Sequence, residues 1–354
     1  MSEAVATTTQ LNPAPLPAQV PARLARMWQR GADFLGCPVA ILAGAMTWVS
    51  ERNLVAAISN AGAFGVLACG AMTPELLDAE IKATQKLTAK PFGVNLITMH
   101  PKLLELVDVC AANKATHVVF AGGVPPGEAI KRAKAFAKVV CFAPAAVLAK
   151  RLIKNGADAL VIEGSEAGGH IGPVSTSVLA QEILPVIRDV PVFVAGGIGR
   201  GEAIVSFLEM GAAGVQMGTR FVCATESIAH PKFKQAFIRA SARDAMPTVQ
   251  LDKRFPVIPV RALLNEGTEE FMATQRRVLD KFVRGEIEQQ AAQLEIEHFW
   301  AGALRRAAVD GDVERGSLMA GQSVGMVTRE EPVAAIIAEL IAQADAALAA
   351  RSSS

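Results

Sequence analysis

Glu163-Gly164-Ser165-Glu166-Ala167-Gly168-Gly169-His170-Ile171-Gly172 places closely spaced glycines around a histidine, directly after the apolar run Ala157–Ile162. Glycine lets a ligand approach the main chain closely, and histidine is the side chain that exchanges protons near neutrality. Two further glycine-rich strand ends follow, Val192–Gly199 and Gly214–Arg220. One such loop is ordinary. Three in succession, each after an apolar strand, describe a binding site.

Gly196 and Gly197, followed by Gly199-Arg200-Gly201, open a helix whose first amides would face an anion. Gln216, Met217, Gly218 and Thr219 end the next strand and offer amide and hydroxyl donors to the same group. Simple turn chemistry also places glycine where a strand meets a helix. Adjacent loops of this kind favour a phosphate. His170, between Gly168, Gly169 and Gly172, has little bulk around it, so proton transfer is the expected role rather than bracing of the loop. His100 is a second candidate on the same face; His117 begins a strand at the opposite face and reads as structural. His230 and His298 read as packing or solvent residues. Asn95 closes the segment Pro91–Asn95, where a polar amide needs a partner, either a ligand or the neighbouring strand. Glu163 can accept hydrogen bonds from a sugar-like chain or fix its loop. Gly44-Ala45-Met46 can lay backbone against a flat ring. Cys69 reads as a small buried apolar residue.

The elements that hold these residues follow from periodicity. Apolar, β-branched runs at 38–43, 64–69, 91–97, 116–121, 138–142, 157–163, 191–196 and 213–218 alternate with helical stretches. That alternation predicts an α/β fold, a TIM (β/α)8 barrel, with an additional C-terminal helical cap. A doubly wound open sheet would carry its glycine fingerprint after the first strand, not after the sixth to eighth. The expected division is a disordered tail over 1–22, a barrel over 23–225, and an inserted extended and helical cap over 226–330. A final helix over 331–350 packs on the barrel. Within the cap, Pro247, Pro256 and Pro259 predict extended chain over 246–261. Helices are expected near 267–283 and 286–309, with a glycine-rich link at 311–325.

Composition bounds the function. The chain has 354 residues, 51% of them hydrophobic, and a mean hydropathy of +0.31, as expected when a parallel sheet lies behind helices. Thirty-five basic and 34 acidic side chains leave a charge of +1, so no nucleic-acid partner is expected. No apolar run reaches the ~18 to 20 residues of a membrane helix, and no membrane association is expected. The first basic residue is Arg23, so residues 1–22 are not expected to act as a secretory signal. Five widely spaced cysteines without a CxxC pair argue against zinc and disulfides and fit a cytoplasmic location. Tyrosine is absent, which removes one common proton donor.

In Glu163–Gly172, Ala195–Ile198 and Gln216–Thr219 the chain resembles the flavin-dependent nitronate monooxygenase family, formerly the 2-nitropropane dioxygenases. That superfamily also contains the flavin-dependent enoyl-acyl-carrier-protein reductases. The resemblance covers about residues 35–345 and implies a TIM barrel with one non-covalent FMN. It implies flavin contacts at Asn95, Glu163, Gly168, Gly197 and Gln216 through Thr219, with Met46 under the ring and His170 as the active-site histidine. Ala45, Gly169 and Gly196 belong to the same candidate cofactor-binding set. Many nitronate monooxygenases carry Gln at the position of Glu163, whereas the reductase branch carries Glu. Gly311-Asp312-Val313 and Gly316–Gln322 also resemble that branch.

The first expectation is oxidation of an alkyl nitronate by FMN and O2 to a carbonyl compound and nitrite. The alternative is reduction of an enoyl thioester with NAD(P)H, with acyl carrier protein as a partner and a homodimer left open. A flavin-free, phosphate-binding barrel is the third. The cysteine nucleophile of inosine-phosphate-type dehydrogenation is missing from 163–176.

Overall fold

The computed structural model describes residues 19–70, 72–252 and 257–352. Nine strands lie in its first two thirds: β1 Ile41–Ala43, β2 Phe64–Ala68, β3 Gly93–Ile97, β4 His117–Ala121, β5 Lys138–Phe142, β6 Ala159–Glu163, β7 Gly169–His170, β8 Val192–Ala195 and β9 Gly214–Met217. All but β7 form a closed barrel in the order β1-β2-β3-β4-β5-β6-β8-β9. Every pairing in it is parallel, including the closure of β1 on β9. Each barrel strand falls inside a segment expected from its apolar run. Parallel strands covered on both faces leave no room for polar alternation, so the runs are visible in the sequence.

The register sorts each strand into an inward and an outward set. Phe64, Val66, Val119, Val140, Ala159, Val161, Phe193, Ala195 and Leu42 form one buried cluster inside the barrel. Alternate residues such as Leu67, Val94, Phe120, Cys141, Leu160 and Val215 pack outward against the helices. Asn95 pairs with Val119, Glu163 with Ala195, and Ala195 with Gln216, so these three polar residues continue the inward set.

The opposite end is plugged. The carbonyl of Phe34, from the helix Gln29–Leu35, accepts hydrogen bonds from His117 Nε2 at 3.0 Å and from Lys138 Nζ. A carbonyl cannot donate, so Nε2 carries the proton and Nδ1 faces the Thr116 hydroxyl at 2.9 Å. Burial pushes the pKa of His117 down to about 4, which keeps the ring neutral. His117 is the structural residue its position implied.

Beyond β9 the chain builds a second, small sheet from β10 Ala245–Pro247, β11 Val260–Leu263 and β12 Leu318–Met319. β7 joins it by antiparallel pairing with β11, His170 opposite Val260 and Gly169 opposite Arg261. The helices Glu266–Val283 and Gln289–Ala308 enclose their own core of Phe271, Val278, Ile296 and Trp300. Of the expected extended segment, 253–256 lie outside the described residues, and 260–263 is the central strand of this sheet. The glycine-rich link contains β12 and a short turn of 3-10 helix at Gln322–Met326. Residues 1–18 of the expected tail also lie outside the described residues; a helix already begins at Ala22.

The last helix, Val333–Ser352, has 20 residues and is long and apolar enough to cross a membrane by length and composition. The composition-based reading passed over it. Here it buries Ile336, Ile337, Leu340, Ile341, Ala344 and Leu348, and it packs mainly on the helix Gly201–Glu209.

Candidate active site at the mouth of the barrel

The mouth is polar where the rest of the barrel interior is apolar. Asn95, Glu163 and Gln216 stand on β3, β6 and β9, each one step above an apolar layer. Asn95 donates from Nδ2 to the carbonyl of Val119 at 3.2 Å, so the neighbouring strand takes one of its bonds. Gln216 lies against Gly44, where a Cβ would come within 3.2 Å of its amide. Removal from water pushes the carboxyl pKa of Glu163 up to about 8, with no offsetting hydrogen bond, so at neutral pH it is largely protonated.

Two loops frame this ring with amide donors. Gly196 and Gly197 have φ of +101° and +69°, a left-handed turn that glycine adopts without strain. Among the described residues the N–H groups of Gly197, Ile198 and Gly218 find no acceptor in the protein, while the register of β8 on β9 directs the Gly196 N–H toward the Gln216 carbonyl. A short helix, Thr219–Val222, starts at Thr219, and the first amides of a helix lack internal partners. These donors lie on the loops after the last two barrel strands, where barrels of this kind commonly bind phosphate. The longer helix Gly201–Glu209 contributes less than its glycines suggested: the amide of Gly201 donates to Gln343 Oε1 at 2.9 Å. A Cβ on Gly201 would meet the Leu340 carbonyl at 2.3 Å, so this glycine admits the last helix rather than a ligand.

The β6 loop is clamped on both sides. Glu166 Oε2 accepts from Thr176 N–H at 2.8 Å and from its hydroxyl at 3.0 Å. The Thr176 hydroxyl also lies 3.1 Å from the Gly196 carbonyl, which ties the loops after β6 and β8. From the cap, Arg261 Nε donates to the Ser165 carbonyl at 2.8 Å and Nη1 to the Ala245 carbonyl. Burial lowers the pKa of Arg261, and the carboxylate of Glu166 opposes that shift. Gln322 N–H donates to the Glu166 carbonyl at 2.9 Å, and Gly321 N–H donates to Thr219 Oγ1 at 3.0 Å.

These contacts bring most of the expected residues to one place. Met46 reaches the same rim, since a Cβ on Gly218 would sit 3.5 Å from its sulfur. Ala45 packs against the inner cluster. His170 sits on the loop after β6 with its main chain held by β11. Met217 differs: its side chain is buried in the outer core, and its carbonyl accepts from Gly44 N–H at 2.9 Å, so only main chain is offered to the mouth. Gly168 and Gly169 serve the clamp, Gly169 by pairing with Arg261 and Gly168 by close approach to the link. His100 accepts from Lys102 N–H at 3.1 Å through Nδ1, a local turn contact. Burial pushes the Cys69 thiol up to about 12, which fits an inert residue.

Glu166, Thr176, Arg261 and Gly321 were not singled out from the sequence. Glu166 lay inside the recognised motif, and Gly321 inside the segment resembling the reductase branch. Arg261 had no local signal, because its partners are 96 and 16 residues away.

Gly168→Ala tests the clamp. The new Cβ would approach Gly321 N to 2.5 Å and the Ala320 carbonyl carbon to 2.6 Å, both main-chain atoms that cannot rotate aside. Overpacking of this kind costs about 1–3 kcal/mol, so a clear drop in melting temperature is expected. An unchanged melt would show that the link does not press on the loop.

A family model for nitronate monooxygenases matches residues 30–115 and 102–343. The (3aS,4S,5R,7aS)-5-hydroxy-7a-methyl-1-oxo-octahydro-1H-indene-4-carboxyl-CoA dehydrogenase of Rhodococcus jostii is 30% identical over 340 residues, covering 89% of this chain and 96% of its own length. The structure of FabK from Thermotoga maritima superposes with a TM-score of 0.81 at 35% identity, covering 92% of this chain and 98% of FabK. Nitroalkane oxidase from Streptomyces ansochromogenes gives a TM-score of 0.73 at 28% identity, with 90% and 99% covered. With barrel, glycine loops and histidine loop all inside the matched residues, the chain belongs to the nitronate monooxygenase family.

Proposed function

We propose that this chain is an FMN-dependent oxidoreductase that uses NAD(P)H to reduce the carbon–carbon double bond of an acyl thioester. The observation that carries the FMN reading is the cradle of unaccepted amides at Gly197, Ile198 and Gly218 beside the polar ring of Asn95, Glu163 and Gln216. A phosphate fits the first, and the hydrogen-bonding edge of a flavin fits the second. A protonated Glu163 adds no negative charge beside a phosphate-bearing ligand and can donate as well as accept.

FMN, when bound, supplies two-electron transfer between nicotinamide and substrate. The chain's own groups do the rest. Gly197, Ile198, Gly218 and Thr219 would hold the phosphate, and Met46 would support the ring. His170 would hold a proton at Nδ1 or Nε2 for the thioester carbonyl or the adjacent carbon. Support for the thioester comes from Glu163, from the stretch 311–322, and from the 35% identity with FabK. The 30% identity with a dehydrogenase whose substrate is a carboxyl-CoA agrees.

Nitronate oxidation is the second reading, favoured by the family model and by the nitroalkane oxidase structure. In that case His170 would remove the proton of a neutral nitroalkane or orient the nitro group. One experiment separates the two. The purified protein should be yellow, its flavin absorbance should bleach on anaerobic mixing with NADH or NADPH, and an enoyl thioester should restore it. Nitronate-dependent oxygen uptake without nicotinamide bleaching would select the second reading. A colourless protein that takes up no FMN would leave the flavin-free barrel.

A further inference from the structure

Among the described residues only Trp48 and Lys114 are non-glycine residues with positive φ, and Trp48, at +68°, lies in the loop leaving β1. A large side chain in this conformation is strained, and it persists only where its surroundings over-determine it. The surroundings here are in the cap. Trp48 Nε1 donates to the carbonyl of Ala301 at 3.1 Å, a contact across 253 residues to the helix Gln289–Ala308. The guanidinium of Arg305, one turn further on, stands 6.0 Å from the indole centroid.

The same loop is tightly wound around Met46. Met46 N–H donates to Ser50 Oγ at 2.9 Å, and the Met46 carbonyl accepts from the N–H groups of Val49 and Ser50 at 3.0 and 2.8 Å. Ser50 Oγ is 3.3 Å from the Gly44 carbonyl. Met46 in turn lies beside Gly218 of the phosphate cradle. A continuous line of contacts therefore runs from the cap helix through Trp48 and Met46 to the cradle.

We propose that Trp48 is a positioning residue: its bond to Ala301 lets the cap hold the β1 loop, and with it Met46, in the shape that receives the flavin ring. This rests on the FMN reading above. It adds a route by which the cap governs cofactor affinity without touching the cofactor.

Two variants test it. Trp48→Phe keeps a ring and loses the donor; Trp48→Gly also removes the left-handed strain. In both, amide hydrogen exchange over 44–50 should speed up about tenfold in the flavin-free protein, as expected for one lost hydrogen bond. FMN should bind about tenfold more weakly to both variants by fluorescence titration, and the weakening should be shared by Trp48→Phe, which keeps most of the packing of the ring against the core. A lowered melting temperature with exchange and FMN affinity unchanged would overturn the proposal, leaving Trp48 as a contributor to global packing that does not hold the β1 loop. If the wild type takes up no FMN, the functional reading falls separately, and unchanged exchange over 44–50 in both variants would then overturn the tie.

Discussion

His170→Asn should leave FMN bound at one equivalent per chain while lowering kcat by about a hundredfold or more, the usual span for loss of a general acid or base. The geometry separates these two readouts. The expected phosphate donors lie on the loops after β8 and β9, whereas His170 lies on the loop after β6. Its main chain is fixed by antiparallel pairing with Val260 and by the neighbouring bond from Arg261 to Ser165, so Asn should inherit the position of the imidazole. What disappears is a ring that can both donate and accept a proton, which an amide cannot do in the same step. Turnover with an enoyl thioester and the ratio of flavin to protein absorbance measure the two effects. Unchanged turnover would remove His170 from the chemistry. Loss of flavin would make it a binding residue instead.

The second large effect concerns pH and Glu163. Its carboxyl titrates near 8 in the folded chain against 4.5 for a free group, because burial disfavours the charged form. Below pH 4.5 both states hold the proton and the residue costs nothing. Between 4.5 and 8 the unfolded chain releases the proton while the folded chain keeps it, so stability falls as pH rises. The loss is complete above 8 and amounts to about 5 kcal/mol, since holding a proton across each tenfold fall in its concentration costs about 1.4 kcal/mol.

Glu163→Gln has no proton to exchange. Flavin-free wild type should therefore lose stability relative to the variant by about 3 kcal/mol between about pH 5.5 and 7.5, read from urea unfolding at each pH. Parallel pH profiles would show that the carboxyl is not protonated at the barrel mouth. The consequence for function is direct. An ionised Glu163 would repel a phosphate-bearing cofactor, so FMN affinity should fall as pH passes 8 in the wild type and not in the variant.

The barrel was legible because its physics is local. A strand hidden on both faces must be apolar for its whole length, and the turn that follows must carry glycine where φ is positive, as at Gly196 and Gly197. Strand–helix alternation then leaves few topologies, and the closed eight-stranded barrel was the expected one. The resemblance to the nitronate monooxygenases rested on loops that follow the same strands, because each of its motifs is a run of sequential residues.

The cap was only partly legible. Its helices announce themselves by length and periodicity, but β7, β10 and β12 have two or three residues each and no pattern of their own. They become strands only because β11 supplies partners. The same holds for Arg261, Gly321 and Trp48, whose roles come from atoms at least 16 residues away. Asn95 shows the division within a single residue. Its sequence context demanded a partner, and only the register of β3 against β4 assigned one of its bonds to Val119. Local rules, then, determined which segments are strands and which turns after them carry glycine. Closure of the barrel, which sets register, and docking of the cap decided which side chains share the mouth, because both arise from pairing between distant segments.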